Sequence, residues 1–147
     1  MQLAEDAPAV RGNGERLRLV LEHLLNNSAQ AIASARLARG SKSGTNVRTY
    51  EDVIRLTVSH DGKAVQIVVS DTGTGFREPG RVFDLFYTTQ APGQGSGLGL
   101  SICYGIVREH EGEISAFNLH PSGAAVVVEL PIVEVIRTQP AVVADVA

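Results

Sequence analysis

The chain has 147 residues, enough for one domain with a hydrophobic core. Hydrophobic residues make up 44% of the chain and the net charge is −3, so the composition is that of an ordinary globular protein without a positive field for nucleic acid. The single cysteine, Cys103, excludes an internal disulfide and favours a reducing compartment, the cytoplasm. No signal-peptide pattern, bilayer-length apolar run or zinc-ligand spacing is found, so direct contact with nucleic acid or membrane is not expected.

A long amphipathic helix is predicted from about residue 15 to about residue 36, with Asn13 as its N-terminal cap. Its core stripe is expected to comprise Leu17, Leu21, Leu24, Ser28 and Ile32. A polar stripe runs beside it and consists of Arg16, His23, Asn27 and Gln30. Such a stripe is typical of a solvated face, but this one holds few charged residues, and an asparagine oxygen is a suitable Mg²⁺ ligand.

Alternation and turn residues predict two hairpins and a second helix. A polar loop over residues 39–50 precedes strands at 53–60 and 64–70, which an Asp61-Gly62 turn connects. The segment 72–97 is rich in glycine and proline and is predicted to be a long functional loop. The rest of the prediction is a helix at about 98–111 with Gly112 as its C-cap, strands at 113–119 and 124–130, and a tail or linker at 132–147.

The order helix, hairpin, loop, helix, hairpin lacks the alternation that parallel sheets require. The simplest solution is an α+β domain over residues 1–131, in which a helical layer covers one face of a largely antiparallel sheet.

Three further segments allow both a structural and a chemical interpretation. The glycine run at 93–101 opens a helix and is either a flexible loop or a phosphate cradle. The segment 71–76 follows a strand and is either a turn, the favoured interpretation, or a carboxylate and glycines that accept a flat base. The segment 82–89 carries three aromatic residues and is either a small satellite core or a lid that docks on a ligand.

Taken together and in order, these segments resemble the ATP-binding catalytic domain of sensor histidine kinases. The superfamily is shared with gyrase, the ninety-kilodalton heat-shock chaperone and the mismatch-repair ATPases. The resemblance covers residues 10–131: residues 24–32 resemble the N box, 71–76 the first glycine box, 83–89 the F box and 95–101 the second glycine box.

The resemblance implies a site for ATP and Mg²⁺. Asn27 would hold Mg²⁺ and would serve in catalysis together with His23, while Asp71 would accept a hydrogen bond from the adenine amino group. The segment 77–94 would be the ATP lid, anchored by Phe83 and Phe86. The remaining nucleotide contacts would come from Gln30, Ala31, Gly73, Gly75, Phe76, Phe86, Thr88, Thr89, Gly95, Ser96, Gly97, Leu98, Gly99 and Leu100.

The resemblance also implies a fold and a reaction. The fold would be a Bergerat sandwich, with a mixed, mostly antiparallel sheet of about five strands covered on one face by about three helices, and a short lid of the nitrogen-regulation type. The domain would bind Mg-ATP and supply the γ-phosphate to a histidine on a separate dimerisation domain, with a response regulator receiver downstream. Nothing before Asn13 has room for that dimerisation domain, so we expect a monomeric catalytic domain that is inactive in transfer by itself.

Two other functions remain open on the same fold: a serine kinase of the anti-sigma-factor type, and a non-catalytic nucleotide-sensing module. Several positions depart from the kinase pattern. His23 stands where histidine kinases usually carry asparagine and hydrolysing relatives carry glutamate, which argues against a dedicated ATPase. Gln30 and Gln90 stand where lysine is common, and no lysine follows the glycine run as it does in a P-loop, so Mg²⁺ must supply most of the charge neutralisation.

Overall fold

The computed structural model describes residues 8–40, 51–88 and 97–133. Within these ranges the chain forms two α-helices, four strands and one 3₁₀ turn: α1 (Gly14–Gly40), β1 (Ile54–His60), β2 (Ala64–Asp71), the 3₁₀ turn Pro79–Arg81, α2 (Gly99–Glu109), β3 (Glu113–Asn118) and β4 (Ala124–Pro131). No helix in these ranges combines the length and the apolar character that crossing a membrane requires.

The four strands form one antiparallel sheet in the order β1-β2-β4-β3. Both helices pack on the same face of this sheet, and the core lies between the two layers. The buried residues of the core are Val20, Leu24, Val69, Cys103, Ile106, Val107, Val126, Val128 and Leu130. The predicted α+β class and two-layer arrangement are therefore confirmed.

The numbers of elements differ slightly from the expected ones. The described residues form four strands, all antiparallel, and two α-helices, where about five mixed strands and three helices were expected. The described residues before α1 contribute a single antiparallel bridge, between Val10 and Ile132. Among the described residues between β2 and α2, one 3₁₀ turn forms, in which Pro79 and Gly80 are poor residues for a longer helix.

Helix α1 begins at the predicted cap and continues beyond the predicted end. The Asn13 Oδ1 accepts hydrogen bonds from the backbone N–H groups of Glu15 and Arg16, at 3.0 and 3.2 Å. At the other end, Asp52 pairs with Arg36 and with Arg39, whose Nη2 lies 2.6 Å from the carboxylate. These guanidinium groups lower the pKa of Asp52, Arg36 contributing more than Arg39. The pairs hold the last turn of the helix beside the start of β1.

The buried stripe of α1 differs from the predicted one by a small rotation. Val20, Leu24, Ser28 and Ile32 are buried, whereas the predicted Leu21 is only half-buried. These four residues are spaced by four, so they form one ridge that fits against the sheet and α2. Which of two neighbouring apolar ridges faces inward is decided by the position of α2, and the helix sequence does not carry that information.

The two helices are antiparallel and are tied at the end where α1 starts. An ion pair joins Arg16 to Glu109, with 2.6 Å between Nη1 and Oε2. The buried His110 uses both ring nitrogens: Nε2 accepts the backbone N–H of Asn13 at 3.0 Å, and Nδ1 donates to the carbonyl of Ile106 at 2.7 Å. This arrangement requires the proton on Nδ1.

The end of α2 is closed by a Schellman motif whose left-handed residue is a glutamate. The N–H of Gly112 donates to the carbonyl of Val107 at 2.9 Å, and the N–H of Glu111 donates to the carbonyl of Arg108 at 3.0 Å. Glu111 has a φ of +57°, so the prediction that Gly112 supplies the left-handed cap is wrong. Gly112 is needed for proximity instead, because a Cβ there would lie 2.5 Å from the carbonyl oxygen of Glu129.

We predict that Glu111→Gly stabilises the domain by about 1 kcal/mol, because glycine adopts a positive φ without the steric penalty that a Cβ brings. Urea unfolding followed by circular dichroism measures the change. Glu111→Ala is the matched control: it removes the same charge but keeps the Cβ, so its stability should stay near that of the wild type. Equal stabilisation by both variants would contradict the backbone explanation.

Cys103 lies on α2 at the centre of the core, fully shielded from solvent, with its Sγ 3.7 Å from the carbonyl oxygen of Val20. Burial raises the pKa of this thiol to about 12. The side chain therefore acts as a small apolar residue that packs α2 against α1.

We predict that the Cys103 thiol resists modification in the folded protein, because both the burial and the raised pKa suppress the reactive thiolate. Labelling with a thiol reagent at pH 8 should be slow without denaturant and should accelerate along the urea unfolding curve. Rapid stoichiometric labelling of the native protein, at the rate of free cysteine, would show that the packing around Cys103 is wrong.

Candidate nucleotide-binding site

Asp71 is the last residue of β2 and is held rigidly at the end of the sheet. Its side chain is buried, with 6% of the residue exposed, and Oδ1 accepts the backbone N–H of Gly73 at 2.9 Å. The next residue, Thr72, extends the pairing with β1 through two hydrogen bonds to Val53. Among the described residues, no group donates a hydrogen bond to Oδ2 of Asp71. One carboxylate oxygen therefore fixes the loop, and the other is available to a ligand.

The loop that follows Asp71 lies directly on the backbone of α1. A Cβ at Gly73 would lie 2.6 Å from the carbonyl carbon of Ala31 and 2.8 Å from the amide nitrogen of Ile32. Only glycine permits this approach without displacement of the helix. The contact brings Asp71 beside the helix that carries Asn27, so the N-box and first-glycine-box segments, which lie about forty residues apart in sequence, form one site.

The polar stripe of α1 divides into an exposed part and a half-buried part. Arg16 and Gln30 are exposed, whereas His23 and Asn27 are half-buried, one turn apart on the helix. Neither of the half-buried side chains makes a hydrogen bond within the described residues. The His23 Nδ1 is 3.4 Å from the position that a Cβ would occupy at Gly99, so this imidazole lies against the first turn of α2.

The N-terminus of α2 has no side-chain cap. Leu98 occupies the cap position without a capping hydrogen bond, and the hydroxyl of Ser101 donates to the carbonyl of Leu98 at 2.9 Å instead of capping an N–H group. The first-turn N–H groups of a helix have no carbonyl four residues earlier to bind, and the helix dipole attracts anions to this end. The turn that includes Gly99 and Leu100 therefore has the features of a phosphate site next to His23.

A backbone contact joins the middle of the predicted lid to the residue two positions before α2. The N–H of Phe86 donates to the carbonyl of Gly97 at 3.1 Å, and a Cβ at Gly97 would lie 2.6 Å from the carbonyl carbon of Phe86. Phe86 has a φ of +64° and is 72% exposed, so its backbone, and not its ring as expected, makes this connection. Phe83 does pack against the core, and its ring centroid lies 5.9 Å from that of Tyr104.

The other predicted nucleotide residues fall into three groups. Ala31 contacts the loop at Gly73, and the side chains of Phe76 and Leu100 pack against the core. Thr88 is exposed and lies within the predicted lid. Predictions for Thr89, Gly95 and Ser96, like the comparison of Gln90 with lysine, lie outside the described residues.

Two residues that the sequence analysis missed complete the site. The amide of Asn118, at the end of β3, makes two hydrogen bonds with the backbone of Phe76. Gly123, with a φ of +101°, lies so close to the carbonyl oxygen of Asp71 that no Cβ would fit. Both residues come from the last hairpin. The sequence predicted that hairpin but gave its residues no role in the site. No local signal could have found them, because their partners are set by strand pairing.

The donors present fit magnesium better than a transition metal. Within the described ranges, no three histidine, cysteine, aspartate or glutamate side chains come together to hold a metal ion. Asn27 instead offers one amide oxygen that no described residue engages, one turn along α1 from His23, whose ring lies against the first turn of α2. Magnesium usually takes one or two protein oxygens and completes its shell with phosphate and water, so this donor set is compatible with it.

The site has the features of an ATP-binding domain built on an α+β sandwich. Residues 12–134 match the family model described as histidine kinase-, DNA gyrase B- and HSP90-like ATPase. Because the match covers most of the chain, the protein belongs to this family.

Curated proteins with similar sequences include sensor proteins of two-component systems. The chain is 32% identical over 127 residues to sensor histidine kinase ZraS of Escherichia coli O157:H7, covering 85% of this chain and 24% of ZraS. It is 35% identical over 126 residues to the two-component sensor PprA of Pseudomonas aeruginosa, covering 84% of this chain and 12% of PprA. The chain thus spans a quarter or less of the length of these curated relatives.

Solved structures show the same fold. The catalytic domain of histidine kinase ThkA superposes with a TM-score of 0.62 at 29% identity, covering 84% of this chain and 71% of that one. Full-length ShkA, crystallised in complex with AMPPNP, superposes with a TM-score of 0.64 at 25% identity, covering 86% of this chain and 23% of ShkA.

We predict that Gly73→Ala destabilises the domain by about 1–3 kcal/mol, because the added methyl group collides with the α1 backbone and either the loop or the helix must move. Urea unfolding measures the loss. Gly80→Ala is the matched control, since nothing lies within 4 Å of a Cβ there and its φ is not positive. Equal stability of the two variants would show that the loop does not depend on this contact.

Proposed function

We propose that this domain binds ATP with magnesium between α1, the segment after β2 and the first turn of α2, and that it is the catalytic domain of a sensor histidine kinase. The observation that carries the proposal is the packing of Gly73 on α1, which sets the buried carboxylate of Asp71 beside the helix of Asn27. The family membership and the names of the relatives support the same assignment.

The base would bind at Asp71. Its Oδ1 is engaged by Gly73, so Oδ2 would accept the hydrogen bond from the adenine amino group. Gly73 and Gly75 carry no side chain that would occupy the space of the flat ring, and Phe76 and Ala31 lie on the same loop and on the facing helix. Recognition of the amino group by a buried carboxylate would favour adenine over a base that presents a carbonyl at the same position.

The phosphates would bind at the first turn of α2, where the backbone from Gly97 to Leu100 and the helix dipole favour negative charge. Thr88 and Thr89 of the lid would cover them, and Gly95 and Ser96 of the second glycine box would contribute to the phosphate cradle. The contact between Phe86 and Gly97 supports this role, because it holds the middle of the lid next to the same helix end.

Asn27 would hold Mg²⁺, which when bound supplies positive charge that neutralises the phosphates. His23 would act from the same helix face, one turn earlier. Its ring lies against Gly99, so it would contact a phosphate oxygen or a water bound nearby. This position lacks the glutamate that activates water in the hydrolysing relatives, so slow hydrolysis is expected of the domain alone.

In the whole protein the γ-phosphoryl group would pass from ATP to a ring nitrogen of a histidine on a dimerisation domain, leaving ADP, and then to a response regulator receiver. The site contributes positioning and charge neutralisation, which account for most of the catalysis in phosphoryl transfer. We propose a cytoplasmic location for the domain, since this is where ATP and such partners meet. Acid-labile phosphate on an added dimerisation domain would separate this function from a serine kinase and from a non-catalytic module.

We predict that Asp71→Asn weakens Mg-ADP binding by about 10- to 100-fold. The amide oxygen would still be needed by the N–H of Gly73, so the amide NH₂ would face the adenine amino group, and two donors would oppose each other. Isothermal titration calorimetry measures the change. The control is Asp61→Asn, an exposed carboxylate in the turn before β2, at the other end of that strand. Wild-type affinity in Asp71→Asn would exclude the proposed base contact.

A further inference from the structure

The loop that would form the wall of the base site is also held by a residue of β3, the edge strand two positions away from β2 in the sheet. The side chain of Asn118 reaches the backbone of Phe76: its Oδ1 accepts the N–H at 2.7 Å, and its Nδ2 donates to the carbonyl oxygen at 2.8 Å. A side-chain amide carries one donor group and one acceptor at a fixed separation. It can therefore pair with the N–H and C=O of a single residue, as the backbone of a neighbouring strand would. Asn118 at the end of β3 therefore binds the loop backbone in the way that one more strand residue would.

Strand pairing places Asn118 and Asp71 in one row. Asp71 is directly opposite Ala124 in β4, and Ala124 is directly opposite Asn118 in β3. Residues directly opposite each other in a sheet project to the same face, so both polar side chains project to the face that the helices cover. Between them lies the small, buried Ala124, which leaves room for the loop to cross.

The two polar side chains fasten the two ends of that loop. Asp71 accepts the N–H of Gly73 at the start of the loop, and Asn118 binds the backbone of Phe76 at its end. The intervening Gly75 has a φ of +74°, and a Cβ there would lie 2.9 Å from Oδ1 of Asn118. The glycine thus lets the loop approach the amide closely enough for both hydrogen bonds.

We propose that Asn118 is a positioning residue for base recognition, an assignment that rests on the proposed ATP site. By fixing the peptide of Phe76, it sets the distance between the loop and the free oxygen of Asp71, and so determines how well an adenine amino group fits between them. Asn118 itself does not touch the nucleotide. It is exposed, and water can replace its hydrogen bonds when it is substituted, so its variants should remain folded.

The test compares the affinities of three ligands, each with magnesium, for the wild-type chain, Asn118→Ala and Asn118→Asp. ATP carries the amino group, ITP carries a carbonyl in its place, and tripolyphosphate has no base. Asn118→Asp is isosteric and keeps the acceptor, but it sets a carboxylate oxygen against the carbonyl of Phe76. An effect that both Asn118 variants show therefore cannot come from the smaller side chain of the alanine variant. Ser122→Ala, at the exposed tip of the same hairpin, is the control. Urea midpoints establish that each variant is folded.

The expected result is that both Asn118 variants bind ATP about tenfold more weakly, while tripolyphosphate binding stays unchanged and the preference for ATP over ITP falls by a similar factor. A merely structural role would weaken all three ligands together and leave the preference intact. If the wild type prefers ATP and the Asn118 variants keep that preference, the role of Asn118 is overturned while the ATP site stands. A wild-type chain that binds no ATP would overturn the proposed function and this proposal together.

Discussion

The close approach of the loop after β2 to helix α1 is the contact on which the rest of the site depends. At Gly73 the loop backbone meets the helix backbone with no side chain between them, so small displacements of α1 would change the site directly. Both ends of α1 are accordingly tied: His110 and Asn13 link its start to α2, and Asp52 binds two arginines of its last turns. The ties lie outside the site but fix its geometry.

Several polar side chains that tie the scaffold together are hydrogen-bonded, whereas groups at the candidate site remain open. The capping amide of Asn13, both nitrogens of His110 and both ends of the Asn118 amide make hydrogen bonds. In contrast, one oxygen of Asp71 and the amide of Asn27 bind none of the described residues, and the start of α2 has no side-chain cap. Each of the two side chains can bind a ligand without breaking a contact among the described residues, which supports the proposed nucleotide site.

Among the described residues, Phe86 and Glu111 are the two other than glycine that adopt a positive φ, and they lie at different kinds of position. Glu111 closes α2 away from the site, where glycine would serve better. Phe86 connects the predicted lid to Gly97 through its backbone, while its own side chain and that of neighbouring Leu85 remain exposed, at 72% and 70% for the two residues. The positive φ of Phe86 thus lies beside apolar side chains that the described residues leave exposed.

The sequence alone determined the elements, their order, the Asn13 cap and the four motif segments, because periodicity, capping and turn preferences act over a few neighbouring residues. The sequence also predicted which side chains would carry the chemistry. Only the tertiary structure decided that Val20 and not Leu21 faces the core, that Gly112 is needed for proximity, and that Asn118 supports the loop after Asp71. Each of these three outcomes depends on which segment packs against the residue in the folded domain. Residues far apart in the chain determine that packing.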